Sequence, residues 1–213
     1  MGRGAAVVAL WTARALGLPY TSLAVDGAHV GDVVAHQLPA AREWSARPDA
    51  RYDLGALHIG ANDVRALDWD ADAFARGLAT VVDHLAGRCD RVVVLTIPLD
   101  LGRPRPDPAR IASANAAIER EAARVEATFV DLRGFRGRRV LMVDHVHPTA
   151  FGQIAIAERA LDALAPAGLQ ILVRPRDLIA YEETRTGRLR GDLTYAYRHA
   201  KLTARNALHH LAP

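Results

Sequence analysis

Hydrophobic residues fall along this chain in two alternating textures, short solid runs and longer amphipathic stretches. Val92-Val93-Val94-Leu95 is the clearest solid run and predicts a buried strand over 91–96. Shorter runs predict strands over 20–25, 54–59 and 127–131. Between them, helical spacing predicts helices over 5–16, 30–45, 70–85 and 109–126, and a further one from Pro148 or Thr149 to Leu164. Gly17-Leu18-Pro19 stops the first helix, and Asp70 or Asp72 is available to cap the third. Four prolines make 98–108 a loop, and 133–143 is irregular and basic. Strands that alternate with helices are the pattern of an α/β domain with a mainly parallel sheet.

Beyond Pro166 the texture changes. Residues 169–173 read as one more strand, and 174–191 as an exposed connection. Residues 193–211 read as a basic amphipathic helix with Leu193, Tyr197, Ala200, Ala204, Leu208 and Leu211 on one stripe. We expect a domain over 1–167 with an extension over 168–213, whose helix packs on that domain. A partner helix or an anionic surface is the sharper alternative for the stripe.

Composition adds little to the pattern. The 213 residues are half hydrophobic and about a quarter charged, which suits one globular domain rather than a disordered chain. The net charge of +3 belongs to the tail: from Arg174 onward there are 8 Lys/Arg against 4 Asp/Glu. The basic residues are arginines except Lys201, and we expect no nucleic-acid partner from that vocabulary. The single cysteine, Cys89, excludes an internal disulfide framework. No apolar run approaches the ~18 to 20 residues of a transmembrane helix. The first 15 residues imitate a short signal peptide, but Arg14 interrupts the cleavage-like triplet, so we read an amphipathic helix and a cytoplasmic protein.

In open α/β sheets the working groups sit at the carboxyl ends of the strands. Unusual residues cluster there: Asp26-Gly27, Gly60-Ala61-Asn62-Asp63, and Asp144-His145-Val146-His147-Pro148 just before a helix. A carboxylate three residues before a histidine can accept the imidazole Nδ1–H. That fixes the tautomer and leaves Nε2 as a general base, which casts Asp144 and His147 as a catalytic pair. The Asn62 amide and the Gly27 backbone N–H are candidate donors to a developing oxyanion. The plainer readings are a surface pair and two ordinary turns. His145 and His147 at i, i+2, next to Asp144, also suggest a metal site, but no obvious third or fourth ligand presents itself. Neither G-x-G-x-x-G nor G-x-x-x-x-G-K-[ST] is present to support nucleotide binding.

Taken together, these blocks resemble the SGNH hydrolases, or GDSL esterase/lipase family, over about residues 5–165. Leu23-Ala24-Val25-Asp26-Gly27 looks like the family's second block, with its oxyanion glycine. His58-Ile59-Gly60-Ala61-Asn62-Asp63 matches the third, G-x-N-D, and Asp144-x-x-His147-Pro148 with Gly152 matches the fifth. The resemblance implies a three-layer α/β/α sandwich with a flavodoxin-like parallel sheet of order 2-1-3-4-5. It implies ester hydrolysis through an acyl-enzyme on a small-molecule ester, without metal or organic cofactor. His147 would be general base, Asp144 would orient it, and Gly27 and Asn62 would form the oxyanion hole. The first block, Gly-Asp-Ser with the nucleophile, has no counterpart: the serines are Ser22, Ser45 and Ser113, and none follows Gly-Asp. The first strand is missing with it, so we expect an open gap beside the strand at 54–59, and the chain to be truncated or, alternatively, a non-catalytic binder or scaffold.

Overall fold

Three parallel strands lie side by side in the order β1 (Gly55–His58), β2 (Val92–Leu95), β3 (Thr128–Val130). The computed structural model describes residues 5–44, 51–102 and 105–178, and in the tail 186, 189–190, 193–194, 196–197 and 200–201. Among the described residues, five main helices flank the sheet: α1 (Ala5–Ala15), α2 (residues 30–44, with a π turn at Val33–Gln37), α3 (Ala71–Arg88), α4 (Pro108–Arg124) and α5 (Ala150–Leu164). Asp70 caps α3 by accepting the amides of Asp72 and Ala73. Thr149 caps α5 through the Gly152 amide.

The solid run at β2 is buried on both faces because each face has its own helical layer. Val92 and Val94 pack with Leu57, Leu78 and Ile118 beneath α2, α3 and α4. Val93 and Leu95 pack with Val8, Ala15, Ile156 and Leu161 beneath α1 and α5. The result is the expected three-layer α/β/α arrangement.

β1 is different. Its register sets Ala56 beside Val93 and His58 beside Leu95, so both side chains face the α1/α5 layer. Yet Ala56 and His58 are exposed, while Gly55 and Leu57 on the other face are buried. Among the described residues no strand pairs with the other edge of β1. This is the gap that the sequence led us to expect.

The gap also explains one correction. Residues 20–25, predicted as a buried strand, have no regular secondary structure and lie outside the sheet, with Thr21, Ser22, Ala24 and Val25 exposed. A short strand is held by its neighbours' N–H and C=O groups, and here the neighbour that would join it to β1 is absent among the described residues. A second correction concerns 169–173. This segment enters no sheet; the Leu172 amide instead donates to the Ala15 carbonyl at the end of α1, at 2.8 Å. The connection from 174 is anchored at its start, where Arg174 reaches Glu158 and Asp162 on α5. In the tail, Leu193, Tyr197 and Ala200 are helical but exposed, so the expected packing on the domain is not made there. Ala204, Leu208 and Leu211 lie outside the described residues, as do Ser45 and residues 103–104 of the proline-rich loop. Among the described residues, no helix is long and apolar enough to cross a membrane.

Candidate active site

Because the strands are parallel, the loops leaving β1, β2 and β3 emerge at one edge of the sheet. The loop after β1 turns at Gly60 and forms a short 3₁₀ segment, Asp63–Arg65. Two of its side chains reach back to the turn before α2. The Asn62 amide donates to the Ala28 carbonyl at 3.0 Å. The Val30 amide donates to Asp63 Oδ1 at 2.9 Å. Asp63 is thereby a distant N-terminal cap for α2, satisfying one of the helix's otherwise unpaired amides. Gly27 sits in this stitched turn, exposed and at φ +80°. An amide nitrogen carries two hydrogens, so Asn62 keeps one donor beyond the bond to Ala28.

Asp63 is about 94 % buried and its Oδ2 has no partner among the described residues. Burial pushes its carboxyl above the ordinary value, against the bond from Val30. The sequence motif contains Asp63, but its role as the tie between two loops shows only in the fold.

The second component lies on the loop before α5. Leu141 and Pro148 form an antiparallel bridge, and the Met142 amide donates to the His147 carbonyl at 2.8 Å. This closes a small loop that displays Asp144 and His147. Asp144 Oδ1 accepts the amides of Val146 and His147, and Oδ2 lies 2.8 Å from His147 Nδ1. The predicted pairing is therefore made. Burial raises the Asp144 carboxyl, but the bonds from the His147 backbone, its ring and the Val146 backbone outweigh it and hold the group below the ordinary value. An ionised carboxylate at Nδ1 leaves the His147 Nε2 lone pair free to take a proton. His145, at φ +60°, turns the other way and meets Asp100 at 3.1 Å.

The loop after β2 joins the two components. The Arg65 guanidinium donates to the Leu101 carbonyl. Gly102 packs so closely on the Asp144 carbonyl that a Cβ there would lie 1.8 Å from its oxygen. The base of this loop is held by Asn115, which accepts from the Ile97 amide at 2.9 Å and donates to the Ile97 carbonyl at 3.0 Å. Asp100, Gly102 and Arg65 were not singled out by sequence reasoning. They carry no motif of their own, and their roles depend on loop contacts.

Among the described residues, no serine is hydrogen-bonded to His147. Ser22 is exposed on the irregular segment over 20–25, where its Oγ accepts from the Ala24 amide. Ser113 is exposed within α4. Among the described residues, no three His, Cys, Asp or Glu side chains are gathered as a metal site.

The profile of the GDSL-like lipase/acylhydrolase family matches residues 2–154. Among curated proteins no sequence matches the chain. Solved structures similar to it include LAE5, an alpha/beta hydrolase enzyme from the metagenome of Lake Arreo, Spain, at 24 % identity and a TM-score of 0.58 over 75 % of this chain and 81 % of that one. Axe2, an acetylxylan esterase from Geobacillus stearothermophilus, is similar at 18 % identity and a TM-score of 0.58 over 76 % and 81 %. The acetyl xylan esterase AlAXEase is similar at 18 % identity and a TM-score of 0.59 over 75 % and 90 %. At these identities the structural likenesses speak for the fold. The family rests on the profile, which spans Gly27, Asn62, Asp144, His147 and the loops that join them, and the chain belongs to the GDSL-like lipase/acylhydrolase family.

Proposed function

We propose that this chain carries the acid–base and oxyanion groups of a serine esterase acting on small-molecule carboxylic esters. The nucleophile would come from a strand ending in Gly-Asp-Ser that fills the open edge of β1 and lies outside the sequence given. The observation that carries the reading is the Asp144–His147 pair, with its carboxylate held by three hydrogen bonds. His147 Nε2 takes the serine proton as Oγ bonds to the ester carbonyl carbon. Gly27 N–H and the free Asn62 hydrogen stabilise the oxyanion. Collapse breaks the bond to the alcohol oxygen, which receives the proton from His147. Water then releases the acid by the same steps in reverse. Acetyl esters are the first substrates to try, since two of the similar structures are named as acetylxylan esterases.

The test is to fuse a strand ending in Gly-Asp-Ser ahead of α1 and assay p-nitrophenyl acetate. We expect turnover that His147→Ala lowers at least ~10³-fold. Turnover unaffected by that change would overturn the assignment. A second reading, a non-catalytic binding protein, is favoured by the sequence, in which none of Ser22, Ser45 and Ser113 follows Gly-Asp. It gains if the fused protein folds and binds ester without cleaving it.

A further inference from the structure

The extension beyond Pro166 begins tied to the domain, where Arg174 and Arg176 each reach Glu158 on α5 at 3.0 Å. Further on, every described residue from 186 to 201 is helical and exposed. The Thr194 hydroxyl donates to the Arg190 carbonyl, one turn back, at 2.8 Å. Leu189, Leu193 and Tyr197 follow at four-residue spacing, so they share a face, and Ala196 and Ala200 fall on it as well. The three large side chains are 62, 63 and 69 % exposed. Amphipathic helices draw most of their stability from covering such a stripe, and Gly187 and Gly191 lower the intrinsic helix propensity of this sequence further. Among the described residues, the domain does not cover it.

Charge selects the occupant. From 185 to 205 the sequence holds Arg185, Arg188, Arg190, Arg198, Lys201 and Arg205 against the single acidic residue Asp192. Arg190 and Lys201 are eleven residues, about three turns, apart and so lie along one border of the stripe. Neither is in an ion pair with a described residue. Two copies of this chain packed stripe to stripe would set like charges together. A nucleic acid would meet the cations and leave the leucines bare. A bilayer with anionic headgroups satisfies both features. The leucines enter the acyl boundary, Tyr197 suits the headgroup level, and Arg and Lys stems lie along the surface with their charges at the phosphates. No described helix is long and apolar enough to cross a membrane, so this one would lie in the plane of the interface.

From this we infer that the stripe of Leu189, Leu193 and Tyr197 docks on an anionic lipid surface, with Arg190 and Lys201 at its headgroups. The inference does not depend on the esterase reading, because binding is measured without turnover. The full chain is floated with vesicles of phosphatidylcholine alone and of phosphatidylcholine mixed with phosphatidylglycerol, at low and at high salt. We expect binding to the mixed vesicles that is at least ~10-fold tighter than to the neutral ones and that weakens as salt rises. Leu193→Gln with Tyr197→Gln keeps every charge and removes the apolar contact. Arg190→Gln with Lys201→Gln does the opposite. Each pair should weaken binding at least ~10-fold, whereas Arg76→Gln, at an exposed position on α3, should not. All these positions are exposed, and circular dichroism and the urea midpoint of each variant should match wild type. Equal binding to neutral vesicles, or undiminished binding of the Leu193, Tyr197 pair, would overturn the proposal. So would a chain that ignores vesicles and sediments as a dimer which that pair dissociates, since a second copy would then cover the stripe.

Discussion

His147 Nδ1 lies 2.8 Å from Asp144 Oδ2, while the other oxygen of that carboxylate accepts the amides of Val146 and His147. The carboxylate is thus fixed by the backbone before it orients the ring. Asp144→Asn keeps the backbone bonds through the amide oxygen but points an NH₂ group at Nδ1. The ring then accepts at Nδ1 and carries its proton on Nε2, the wrong tautomer for a base. ¹⁵N shifts of His147 should show the switch directly. In the serine-supplemented protein, hydrolysis should fall by about 10³- to 10⁴-fold. An unchanged tautomer would remove Asp144 from its orienting role.

Gly102 controls the same pair from another loop. Its φ of +73° disfavours any side chain, and a Cβ would sit 1.8 Å from the Asp144 carbonyl oxygen. Gly102→Ala must move the 141–149 loop or the loop after β2. We expect destabilisation of about 1–3 kcal/mol. We also expect the His147 tautomer to become mixed, although the substituted residue does not touch the ring. A stable variant with the wild-type ¹⁵N pattern would show that the close approach does not position the pair.

What the sequence made legible follows from the range of the interactions involved. The run at 92–95 was readable because a strand covered on both faces needs nothing but apolar residues. The Asp144–His147 pairing was readable because three residues of chain bring the groups together. Residues 20–25 misled because their composition suits a buried strand, whereas a strand exists only with a neighbour to bond. The tie made by Asp63 and the contacts of Arg65 and Gly102 were silent for a related reason. Their partners, Val30, Leu101 and Asp144, are 33 or more residues away, and nothing local marks such a contact.

Asn115 holds the base of the loop after β2. Its two bonds to Ile97 replace the ladder that would otherwise satisfy that residue's amide and carbonyl, and both groups are buried. Asn115→Ala leaves a donor and an acceptor unpaired in the core. At roughly 1–3 kcal/mol for each unsatisfied group, we expect a loss of about 2–4 kcal/mol, since the site can relax in part. Urea unfolding monitored by circular dichroism measures it. A loss below about 1 kcal/mol would mean that water reaches Ile97.

The two site carboxylates are displaced in opposite directions, and this fixes the sign of their pH dependence. Asp144 is held below its ordinary value by the bonds it accepts, net of burial. Its contribution to stability is present above the unfolded value near ~4 and is lost as pH falls through the folded value. Asp63 is raised by burial. Folding therefore favours its protonated form, and its ionised form weighs against the fold once pH rises past the unfolded value. Asp63→Asn keeps an oxygen for the Val30 amide and removes the buried charge. Relative to wild type, it should be most stable near about pH 7 and lose that advantage toward about pH 3. Asp144→Asn should do the reverse, weaker than wild type near about pH 7 and converging with it near about pH 3. Urea unfolding of both variants and wild type across that range reads the two slopes together. Slopes of the same sign would show that burial does not govern Asp63, because its bond to Val30 would then dominate as the His147 and Val146 bonds do at Asp144.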